Sequence, residues 1–125
     1  MFGLLGRFGR ARELRELDDA LRAVDLHPAL VPDAVQLAAV RLMATAKPVL
    51  EPTDHAATAE LLAYCMVGEE AFTAANDAAL ADAVAARIGR AVETGDDLDA
   101  RLVLLLMHAG IVQPSVVERF GLVVD

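Results

Sequence analysis

Cysteine occurs once in the chain, at Cys65, tryptophan not at all, and aromatic residues make up only 4 % of it. A single cysteine excludes an internal disulfide, and with no secretory signal pattern the expected location is cytoplasmic. No stretch reaches the roughly 20 consecutive apolar residues that a membrane-spanning helix needs. The most apolar run is closed off by Asp96, Asp97, Asp99 and Arg101 before it and by His108, Gly110, Gln113 and Pro114 after it. Strand-like alternation, internal repeats and low-complexity tracts are missing as well.

Several chemical signatures are also absent. Gly3, Gly6 and Gly9 are evenly spaced, follow no strand and precede no lysine, so they do not form a phosphate-binding loop. Asp96, Asp97 and Asp99 lack the central glycine and distal glutamate of a calcium loop, and read as helix-capping and dipole residues. His27, His55 and His108 have no second ligand at helical spacing, because Pro52 separates Glu51 from His55. No metal, no cofactor and no catalytic set is therefore expected. The segment Ser115 to Leu122 has the flavour of the first helix of a helix-turn-helix, but no recognition helix follows before Asp125.

What the chain does have is apolar surface and an uneven charge. Apolar residues make up 56 % of its 125 positions, many of them alanine, which favours close helix packing over a large sheet. Residues 1–15 hold four arginines against one glutamate, a net +3, so the other 110 residues carry −11 of the total −8. An acidic body repels phosphate backbones, so nucleic-acid binding is disfavoured.

Helical spacing predicts the elements. Leu14, Leu17, Leu21 and Val24 form one stripe from about Arg10 until Pro28 intervenes. Arg12 with Glu16, Arg15 with Asp19, and Asp18 with Arg22 mark its wet side at i, i+4. A second helix opens at Pro32-Asp33 and closes at Lys47-Pro48; a third is capped by Thr53 or Asp54 and stopped by Gly68. Glu69 to Phe72 reads as a short turn or helix with Phe72 as a lid, and Asn76-Asp77 caps the helix of Leu80, Val84, Ile88 and Val92. Gly89 inside that helix marks either a tight crossing or a tolerated cost. Ser115 and Glu118 have capping-box spacing for a last helix ending at Gly121.

The run Leu98 to Val112 is apolar on every side over its middle turn, and a helix of that kind must be enclosed. The expected fold is a single all-α domain of five to six helices packed as an irregular bundle around a central helix at about 97–109. On that expectation Leu105→Asp unfolds the domain. Residues 1–9 form a basic, glycine-containing segment set apart from the domain of residues 10–125.

For function, the sequence favours a small non-enzymatic protein-interaction or regulatory module. A protein partner is expected, with a symmetric homodimer as one way to cover surplus apolar helix face. Phe2, Leu4, Leu5 and Phe8, interleaved with Arg7, Arg10 and Arg12, suit docking on a partner or peripheral contact with an anionic membrane. The other alternative is an enzyme or small-ligand binder whose pocket is built from the distant residues His55, Tyr64, Cys65 and His108. Cys65, between Tyr64 and Met66 with no basic neighbour in sequence, reads first as a buried inert thiol.

Overall fold

The computed structural model describes residues 2–123, with side chains from Ala11 onward; among these residues there are helices and no strands. In order they are α1 (Phe2–Ala23), a 3₁₀ turn (Pro28–Leu30), α2 (Asp33–Ala46), α3 (Pro52–Val67), α4 (Glu69–Ala75), α5 (Ala78–Thr94), α6 (Leu98–Ala109) and α7 (Pro114–Phe120). The all-helical class is as expected. Among the described residues there are seven α-helices rather than five or six, because the short segments α4 and α7 both close as helices.

Helix α1 begins at Phe2 rather than near Arg10. Each glycine in a helix costs about 1 kcal/mol, but a helix already nucleated on the Leu17–Leu21 stripe extends through Gly9, Gly6 and Gly3 without a second nucleation step. Phe2, Leu4, Leu5, Arg7, Phe8 and Arg10 thus have helical backbone, and their side chains lie outside the described residues. The i, i+4 pairs expected on α1 do not close among the described residues; Arg12 instead bonds its neighbour Glu13 at 3.3 Å. After Ala23 the chain reverses through Asp25, at φ 64°, with the Leu26 N–H donating to the Leu21 carbonyl at 3.0 Å. The buried Gln36 amide of α2 then donates to the carbonyls of Pro28 (3.0 Å) and Val31 (3.1 Å), which fastens the 3₁₀ turn to that helix.

The enclosed helix is α3, not α6. Leu61, Leu62, Ala63, Tyr64 and Cys65 are all at most 1 % exposed, so every side of that stretch is covered. Its neighbours are α1, α4, α5 and α6. Helix α6 packs on α2, α3 and α5, and it buries only Leu102, Val103 and Leu106. Leu104 is 47 % exposed and shares an outer stripe with exposed Arg101 and His108, while Leu105 is half-buried. An unbroken apolar run therefore did not mean enclosure: three helices flank α6 and its fourth side faces water.

Local chemistry sets the helix ends. Helix α3 starts one residue before the expected caps: Pro52 takes the first turn, and Asp54 at the third position accepts the Glu51 backbone N–H at 2.7 Å. Asp77 and Asp97 cap α5 and α6 by accepting from Leu80 (2.7 Å) and Ala100 (2.8 Å). Helix α7 is opened by Pro114 after Gln113, so Ser115 lies inside the helix and does not cap it. Gly68, at φ 91°, ends α3, and a Cβ there would stand 3.3 Å from the Ser115 hydroxyl. That close approach lets the Gln113 N–H reach the Cys65 carbonyl at 2.8 Å, tying the last helix to the axis.

Candidate functional site

Most of the chemically interesting side chains turn out to be joints between helices. Arg87 of α5 grips Asp99 of α6 with Nε (3.1 Å) and Nη2 (2.8 Å), and its Nη1 donates to the Ala57 carbonyl of α3 at 3.0 Å. Glu60 of α3 is 3.7 Å away, and burial raises its carboxyl against the opposing pull of Arg87. Tyr64 Oη accepts from Arg119 Nη1 at 2.8 Å, and the same arginine pairs with Glu69. The Tyr64 ring stands edge-on to Phe72 (5.6 Å) and Phe120 (6.5 Å), so most of the described aromatic surface joins α3, α4 and α7.

The four residues proposed for a distant-residue pocket do not converge. His55 turns toward α1 and meets Glu13; Tyr64 turns toward α7; His108 is exposed at the end of α6. Cys65 is fully buried, and that burial pushes its thiol up to about 12, which keeps it protonated and unreactive at neutral pH. Arg12, of the docking set, is exposed. Among the described residues, no group of three or more His, Cys, Asp or Glu is placed to hold a metal ion. No described helix is long and apolar enough to cross a membrane.

Two of the clefts are lined by charges that already satisfy one another or stand in solvent. One, of about 240 Å³, lies between α2, α3, α5 and α6. It holds Lys47 bonded to Asp54 at 3.0 Å, and Arg87 bonded to Asp99. The Glu51 N–H and the Lys47 ammonium hold the Asp54 carboxyl below its usual range. A broader cleft of about 560 Å³ between α1, the 3₁₀ turn and α2 is lined by Asp18, Arg22, His27 and Asp33. There His27 Nδ1 is taken by the Ala29 N–H at 3.0 Å.

A third cleft differs in kind. It is a groove of about 240 Å³ between the end of α5, the outer side of α6 and the segment after α7, and among the described residues no charged side chain lines it. Ala91 and Val103 are buried beneath it, whereas Val92 (48 %), Leu104 (47 %) and Val123 (77 %) stand exposed along it. Gly95, Ala100 and Gly121 add no bulk, so apolar ridges stand beside a shallow trough. Sequence spacing placed Val92 in one apolar run with Leu80, Val84 and Ile88, and the Leu104 region on the axis. Only the three-dimensional arrangement shows that both face outward together. No protein-family model matches this chain, and no curated protein or solved structure matches it either.

Proposed function

We propose that this chain is a small non-enzymatic interaction module that associates with a second copy of itself through the groove formed by α5, α6 and the segment after α7. The observation that supports this most is the pairing of exposed Val92, Leu104 and Val123 with an uncharged trough on the same face. A ridge beside a groove is what a two-fold contact uses, since each copy inserts its ridge into the other's trough. Among the described residues this face gathers three of the five exposed large apolar side chains, the other two being Leu30 and Val49. Burying it releases about 25 cal/mol per Å².

The net charge of −8 opposes the approach of two copies. Because the groove itself is uncharged, salt should strengthen association by screening that repulsion, whose range falls from about 10 Å at 0.1 M to about 3 Å at 1 M. The test is light scattering across a concentration series. The mass should climb from 13.2 kDa toward twice that value with concentration, and further with salt. Leu104→Glu should stay folded and monomeric. A constant monomer mass, or a Leu104→Glu variant that pairs as well as the parent, contradicts the proposal.

A further inference from the structure

We propose that Arg119, which stands outside the groove, decides whether the groove exists: by latching α7 to α3 and α4 it holds the segment after α7 in place as the third wall. The inference rests on the reading of that groove as the face of self-association. Two of its walls belong to helices α5 and α6, and the third is only the strap Gly121 to Val123. Gly121 turns the chain at φ 62°, and the Leu122 N–H donates back to the Val117 carbonyl at 3.0 Å. The strap is therefore carried by α7 and goes where α7 goes.

Helix α7 has seven residues, well short of the roughly 12–15 that a free helix needs in water, so its position depends on what holds it. Its start is pinned by the Gln113 N–H on the Cys65 carbonyl at 2.8 Å, and its middle by buried Val116. The end that leads into the strap is held by Arg119. One nitrogen, Nη1, donates to Tyr64 Oη of α3 at 2.8 Å and to the Glu69 carboxylate of α4. The guanidinium carbon also lies 5.1 Å from the centre of the Phe120 ring, which stands edge-on to Tyr64. Arg119 and Glu69 are 44 % and 48 % exposed, so solvent weakens the pair, and the latch can open without unfolding the body. With it open the strap leaves, and a second copy loses one wall of its seat.

Methyl resonances of Leu122 in the dilute full chain report whether the strap is docked, and light scattering reports self-association. In Arg119→Ala the docked fraction should fall to about one half or less, and because both copies must be docked, the dimer Kd should rise about fourfold or more. Arg119→Lys should restore most of both, since a single nitrogen makes both contacts and one ammonium can donate twice. Arg119→Met, with a similar stem and no donor, should restore neither. Tyr64→Phe keeps the ring and removes one acceptor, so it should move both readings the same way by less, and it decides the matter if Arg119→Ala does not fold. A docked Leu122 in Arg119→Ala and Tyr64→Phe, or rescue by methionine equal to that by lysine, overturns the latch. An undocked Leu122 with an unchanged Kd overturns its link to the groove and leaves the self-association reading standing. A parent that stays monomeric at every concentration overturns that reading, and this one with it.

Discussion

Arg87 ties three helices together with one guanidinium, and its planar fork is what the geometry uses: two nitrogens on Asp99 and a third on the Ala57 carbonyl. Lysine cannot reproduce that fork. Since Arg87 is 18 % and Asp99 24 % exposed, solvent screens part of the pair. Arg87→Lys should therefore cost about 1–2 kcal/mol, below the range for breaking a fully buried pair, as read from the urea midpoint. Gly89 predicts the opposite sign. A Cβ there meets nothing within 4 Å, so the glycine serves no close crossing. Gly89→Ala should stabilise by up to about 1 kcal/mol and raise the thermal midpoint. The sequence named both possibilities for Gly89, and only the neighbouring surfaces could decide between them. It gave no hint of Arg87, whose partners stand 12 and 30 residues away, beyond any local spacing rule.

Helix ends were readable because capping is local chemistry. Asp77, Gly95, Asp97, Gly110 and Gly121 all act where their residue types predict. Which helix is the axis was not readable in the same way. Hydropathy reports how apolar a segment is, whereas enclosure depends on how many neighbours pack around it. The shorter run Leu61 to Cys65 is covered on all sides, and the longer run on α6 is not. Two adjacent substitutions on α6 separate these accounts. Leu106 is fully buried and Leu105 half-buried, so Leu106→Asp should abolish cooperative thermal unfolding through an unpaired buried charge. Leu105→Asp should retain it at a lowered midpoint. Had α6 been enclosed all round, both would fail alike.

At the largest scale the molecule is an acidic helical body with a groove that no charged side chain lines among the described residues and with a basic amino-terminal helix extension. The expectation from sequence placed docking on residues 1–12, where charge and glycine content are visible, and gave a homodimer only an unlocated surplus of apolar helix face. The groove draws on three separated stretches, around Ala91–Gly95, Ala100–Met107 and Gly121–Val123, and no linear pattern joins them. Hydrogen exchange of the full chain, compared between dilute and concentrated solution, locates the contact directly. Self-association through the groove predicts added protection confined to those three stretches at high concentration. Protection that appears at residues 2–12 instead, or a pattern unchanged by concentration, would contradict it.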